Sequence, residues 1–118
     1  MEDYAFFVAR KKKPGGAIAE AMTASKADAM HMAIGVSSDA GELLDAIKRW
    51  VIYDKPLDRA NVIEELGDIE FFMEGLRQAL SIARPEVIAA NMAKLDARYK
   101  GGYTDAEAAA RADKEVKS

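Results

Sequence analysis

The stretch Asp58–Leu80 reads DRANVIEELGDIEFFMEGLRQAL, and its apolar residues Val62, Leu66, Ile69, Met73, Leu76 and Leu80 recur in alternating steps of four and three. That spacing draws one stripe along an α-helix and suits packing against other helices in a bundle. Asp58 is placed to cap the first turn. Within the same helix, EELGD at residues 64–68 sets three acids and a glycine beside the apolar stripe. Glycine in a helix interior costs roughly 0.5–1 kcal/mol relative to alanine, and a carboxylate beside a core is costly to desolvate. A compensating role for these residues is therefore expected.

Outward from this helix the helical period continues. Ser25, with Asp28 three residues on, reads as the cap of a long helix reaching about Tyr53, with Met32, Val36, Ala40, Leu43, Ile47 and Trp50 as its stripe. YDKPLD at 53–58 separates the two helices. SIARPEV at 81–87 ends the second and starts another with Pro85 in its first turn, running to about Tyr99 before KGGY. A short first helix from about Asp3 to Lys12 is stopped by PGG. From Thr104, TDAEAAARADKEVKS carries a capping box and many alanines but almost no large apolar residue, so a peripheral helix with a frayed end is expected. Period-two alternation is scarce and no repeat is present. The fold class read from this pattern is all-α, with four main helices and a peripheral C-terminal helix.

With 118 residues, 50% of them hydrophobic, one domain spanning 1–118 is expected, its core at about 25–104. The absence of cysteine excludes disulfides, thiolate metal sites and a cysteine nucleophile, and fits a reducing, cytoplasmic home. Apolar runs fall well short of the roughly 18–20 residues that span a bilayer, and MEDYAFFVARKKK places its acids before its basic run, the wrong order for a signal peptide. A net charge of −3 gives no general attraction to nucleic acid or to a membrane, so neither is an expected partner. The basic run Arg10–Lys13, followed by Pro14, Gly15 and Gly16, reads as a solvated turn.

The acids form a constellation. Glu65 and Asp68 are three apart and share a helix face, and so do Asp39 and Glu42 in SSDAGELLDAIKR. Gly41 and Gly67 each stand immediately before the second acid of a pair, and the expectation is that they let the two backbones cross closely. Four carboxylates around one space would need divalent cations to remain ionised. Oxygen ligands alone select hard ions, so Mg2+ is expected, with Mn2+ as a substitute. A single ExxD is commonly a solvated helix edge paired with lysine or arginine. Two pairs with two helix glycines favour a metal site. A di-iron carboxylate bundle requires Glu-x-x-His on two helices, and the chain has one histidine.

HMAIGVSSDAGELLDAIKRW at 31–50, NVIEELGDIEFFMEGLRQAL at 61–80 and NMAKLDARYKGGYT at 91–104 together resemble the MazG-like, all-α nucleoside triphosphate pyrophosphohydrolases, particularly the short single-domain type common in phages. The resemblance covers roughly residues 28–104. The family signature is an ExxE pair followed later by ExxD; here Asp39 and Glu42 stand as the first pair and Glu65 and Asp68 as the second, with 22 residues between Glu42 and Glu65. Aspartate at 39, where glutamate is usual, shortens one ligand. Asp45, one turn after Glu42, is either a helper or a surface acid.

The resemblance implies a MazG-like helical bundle completed by oligomerisation, as a homodimer or a dimer of dimers, in the cytoplasm, or in the host cytoplasm for a phage-encoded chain. It implies hydrolysis of a nucleoside triphosphate between the α- and β-phosphates, giving monophosphate and pyrophosphate, with a lean to purine deoxynucleotides such as dGTP. Asp39, Glu42, Glu65 and Asp68 would be the catalytic, metal-holding acids, and Asp39 or Glu42 the general base. Asn91, Lys94 and Arg98, at i, i+3 and i+7, form a polar stripe, and by resemblance Asn91 and Lys94 face the nucleotide, with Tyr99 ending the same KLxARY block. His31 lies 11 residues before Glu42, roughly 16 Å along a helix. It suits either the base or sugar end of a nucleotide, with Gly35 leaving room between, or an ordinary packed position. Phe72 and Trp50 are either base-stacking residues or core residues, and core packing is the expectation. The rival reading, from another class, is a non-catalytic helical dimerisation or interaction module with an acidic surface.

Overall fold

The computed structural model describes residues 1–110, which form six helices and no strand. In chain order these are α1 (Tyr4–Lys11), α2 (Gly15–Ala21), α3 (Ala24–Val51), α4 (Arg59–Leu80), α5 (Arg84–Arg98) and α6 (Asp105–Ala110). The all-α class is as expected. The frayed end expected of the tail falls at 111–118, outside the described residues.

Side-chain caps explain where most of these helices start. Asp3 Oδ1 accepts from the Phe6 amide at 2.8 Å, and Asp58 Oδ1 accepts from the Asn61 amide at 3.1 Å. The long helix is capped by Thr23 and not by Ser25: Thr23 Oγ1 accepts from the Lys26 amide at 3.1 Å, so the helix opens at Ala24. Pro85 sits in the first turn of α5, where its missing N–H costs nothing. Ser81, with φ 55°, closes α4 in the left-handed conformation, and the Ile82 amide donates back to the Arg77 carbonyl at 2.9 Å. Thr104 Oγ1 accepts from the Glu107 amide at 3.1 Å as a capping box requires, but the Glu107 carboxylate accepts from the Lys100 amide. The helix α2, GGAIAEA, is an addition to the expected set; its two leading glycines are poor helix formers.

The principal packed pair is α3 against α4. Met32 lies against Gly75, Gly35 against Phe72, and Glu42 beside Glu65, so the helices run antiparallel as a hairpin. The observed seam differs in part from the expected stripes. Val36, Leu43, Ile47, Val62, Ile69, Met73 and Leu76 are half-buried, Met73 and Leu76 beside an apolar cavity shared with Ile82 and Val87, whereas Ala40, Trp50, Leu66 and Leu80 are exposed. A strict four-three alternation repeats every 3.5 residues, while a straight helix turns every 3.6, so a long stripe drifts off a single neighbour. Trp50 is consequently not a core residue in the single chain.

The close approach predicted at Gly41 and Gly67 lies elsewhere. A Cβ at either would meet open space, whereas one at Gly35 would collide with the Phe72 ring and one at Gly75 with the Met32 side chain. These glycines act as sockets, one turn or more from the acids.

Among the described residues Ala46 is the one buried apolar side chain. The radius of gyration is 19.9 Å, against about 13–14 Å for a compact chain of this length. Tyr4, Ile34, Leu44, Val51, Phe71 and Met92 remain exposed. No described helix is long and apolar enough to cross a membrane.

The socket geometry separates two glycine substitutions. Gly35→Ala is expected to destabilise by about 1–2 kcal/mol, because overpacking against Phe72 exceeds the gain in helix propensity. Gly67→Ala, into open space, is expected to stabilise by about 0.5–1 kcal/mol. Urea unfolding checks both; equal stabilisation by the two would show that the seam at Gly35 has room.

Candidate metal centre

Three acids meet at the middle of the α3–α4 seam. Asp39 and Glu42, one turn apart on α3, face Glu65 on α4, and one carboxylate oxygen from each lies within 4.8 Å of the other two. Asp39 and Glu65 are only 9% and 8% exposed, while Glu42 opens to solvent. Glu65 Oε2 is buried with no hydrogen-bond partner. Asp68 is exposed and stands outside this group of three, but its charge acts on both buried acids. The expected cluster of four is thus three converging acids with a fourth at its edge.

The electrostatics follow from that placement. Burial pushes the Glu65 carboxyl up to about 7, reinforced by a hydrogen bond shared with Glu42 and by the charges of Glu42, Asp39 and Asp68. Asp39 is raised as well, first by burial and then by Asp68 and Glu42. Carboxylates this close cannot all ionise unless a proton or a cation sits among them. The residues fit a hard cation: the donors are all oxygens, they come from two facing helices, and Glu65 Oε2 offers an unused lone pair. The three acids can therefore hold a metal ion.

Beside them opens a cleft of about 450 Å³ lined by Ser38, Gly41, Glu42, Asp45, Arg49, Asn61 and Glu65. Gly41 keeps this wall low, since no side chain rises from it. Asp45 pairs with Lys48 at 3.3 Å and Arg49 at 3.1 Å. It belongs to the cleft wall, yet its oxygens are directed to cations of its own helix.

Other sequence candidates lie away from this cleft. His31 is exposed and meets the edge of Phe72 with ring centroids 6.2 Å apart. The room expected at Gly35 is filled by that Phe72 ring, because a half-buried aromatic side chain packs into the socket the glycine leaves. Asn91, Lys94, Arg98 and Tyr99 lie on or at the end of α5, and none lines the acidic cleft. Tyr99 instead packs on Tyr103 at 5.2 Å, with the Arg98 guanidinium 5.8 Å from the Tyr99 ring. Ser38, Arg49 and Asn61 are the lining residues that the sequence pattern did not single out, and Arg49 and Asn61 are the two with nitrogen donors. Helical spacing could have found these two: Arg49 follows Glu42 by seven residues and Asn61 precedes Glu65 by four.

Compared with family models, curated proteins and solved structures, the chain matches none of them.

The raised pKa of Glu65 predicts a pH signature. The folded protein keeps this proton up to about pH 7, whereas an unfolded glutamate releases it near 4.5. The folded state therefore binds more protons between those values, and this group's contribution to stability falls as pH rises through the window. In metal-free buffer, the Tm advantage of Glu65→Gln over wild type should grow from pH 5 to pH 8. Saturating Mg2+ at the upper pH should raise the wild-type Tm and leave the variant's unchanged. A pH-independent Tm difference would contradict the assignment.

Proposed function

We propose that this chain is a Mg2+-dependent nucleoside triphosphate pyrophosphohydrolase of MazG-like type, with Mn2+ able to substitute, cleaving between the α- and β-phosphates to release monophosphate and pyrophosphate. The observation that carries this reading is the buried Glu65 oxygen without a partner, set among carboxylates of two facing helices and open on one side to a cleft. Asp39, Glu42 and Glu65 would hold the cation, with Asp68 at the edge. When bound, the cation supplies charge neutralisation for phosphate oxygens and lowers the pKa of a coordinated water. An acid of the first pair takes the proton from the attacking water; of the two, Glu42 lines the cleft and Asp39 does not. Purine deoxynucleotides such as dGTP are the substrates to which the family resemblance leans. A cytoplasmic enzyme fits the absence of cysteine.

The working form in this reading is a homodimer or a dimer of dimers. Among the described residues only Ala46 is a buried apolar side chain, and the single chain spreads well beyond the size of a compact domain, so its exposed helix faces need partners. Asn91, Lys94, Arg98 and Tyr99, which do not line the cleft of their own chain, would then face nucleotide at a site of the assembly. Those same exposed faces favour the rival reading, a non-catalytic helical interaction module.

Pyrophosphate release from a panel of nucleoside triphosphates, with and without Mg2+, separates the two readings. Turnover should require the cation, and Glu65→Gln should lower it more than tenfold, a barrier change above about 1.4 kcal/mol. Glu64→Gln should change it little, because Glu64 is exposed and turned about 100° from Glu65 around the helix. Absence of turnover for every nucleotide at high enzyme concentration would favour the interaction module. Light scattering should give a dimer or tetramer at micromolar concentration; a well-folded monomer would contradict the assembly.

A further inference from the structure

The cleft beside the three acids contains one basic side chain among its lining residues, and that residue has no part in holding the cation. Arg49 stands on the same helix as Glu42, seven residues later. That is two turns, or about 10 Å along the axis. Asn61 lines the cleft from α4. With Glu42, Asp45 and Glu65 also in the lining, the cleft as a whole is acidic and would repel a polyphosphate along its length. A cation at the acid cluster answers that repulsion at one end only. The other end needs positive charge from the protein, and Arg49 is the side chain placed to give it.

The present partner of Arg49 explains how it can be ready and still available. Its Nη1 sits 3.1 Å from Asp45 Oδ2, while Lys48 Nζ sits 3.3 Å from Asp45 Oδ1, and all three side chains are about half exposed. Exposed ion pairs of this kind hold weakly, and Asp45 is shared between two cations. A phosphate group carries more charge than a carboxylate and matches the planar guanidinium fork. We propose that Arg49 is a phosphate-binding residue for the distal, non-reacting phosphates of the substrate. On binding, its guanidinium exchanges Asp45 for phosphate oxygen, and Asp45 is left to Lys48. The Asn61 amide donates from the opposite wall. Asp45 thus competes with phosphate for the guanidinium, and gives it up when substrate arrives. This inference rests on the pyrophosphohydrolase reading and deepens it, assigning recognition of polyphosphate length to Arg49 independently of the base.

The test is calorimetric binding of inorganic tripolyphosphate as its Mg2+ complex to wild type, Arg49→Ala, Arg49→Lys and Asp45→Asn, with circular dichroism to verify folding. Wild type should bind, Arg49→Ala should bind at least tenfold more weakly, and Arg49→Lys should recover part of the loss. Asp45→Asn should bind two- to threefold more tightly, because a competing anion is gone, an effect that mere structural damage would not produce. In turnover, Arg49→Ala should raise KM for triphosphates at least tenfold with a smaller change in kcat. An Arg49→Ala affinity within twofold of wild type, or no tripolyphosphate binding by wild type, overturns the inference. Nucleotide turnover that persists with unchanged KM in Arg49→Ala sinks the role of Arg49 alone. Tripolyphosphate binding that depends on Arg49, without turnover of any nucleotide, supports Arg49 as a polyphosphate ligand and sinks the hydrolase reading.

Discussion

Glu65 occupies a position on α4 that helix packing would ordinarily give to an apolar side chain, and Asp39 does the same on α3. Both are more than nine-tenths buried, and one Glu65 oxygen lacks any partner. Burial of this kind is unfavourable unless a proton or a cation shares the space. The rest of the hairpin sets how closely the acids meet. On one side of them Phe72 seats against Gly35 and Met32 against Gly75; on the other, Ala46 is buried in the seam. Because close contacts on both sides fix the helix separation, the carboxylates cannot relax apart without disturbing the packing. Repulsion among the acids and the seam contacts oppose each other, and a bound cation removes the opposition.

Much of this was legible in the residue pattern, and the exceptions have physical causes. The start of α4 follows from Asp58 and the start of α5 from Pro85, since caps and first-turn prolines act locally. The two acid pairs could be placed on facing helices because their spacing fixes a shared face. What periodicity does not reveal is which neighbour covers which flank. Gly41 and Gly67 resemble Gly35 and Gly75 in sequence, yet only the latter face a large side chain of the opposite helix. Phe72 closes the space beside Gly35 because of the register between helices, which no local signal carries. Trp50 and Leu80 continue their stripes correctly but stay about half exposed in the single chain. In α2, leading glycines hid a helix of seven residues.

The α3–α4 seam is apolar on either side of its acid cluster, and large apolar side chains such as Ile34, Leu44 and Phe71 are exposed as well. The cleft beside the cluster is a polar opening, with Arg49, Asn61, Glu42, Asp45 and Glu65 in its wall. The short Asp39 side chain suits its position, since its carboxylate meets those of Glu42 and Glu65 from a buried place and has little distance to cross.

Asp39, Glu42 and Glu65 are placed so that they can hold a metal ion. Mn2+ binding to the metal-free protein, followed by electron paramagnetic resonance at pH 7.5, tests it without reference to any substrate. The account predicts a saturable site in the wild type that is lost in Glu65→Gln, with the fold preserved. Equal Mn2+ binding by the two proteins, or none by the wild type, would contradict it.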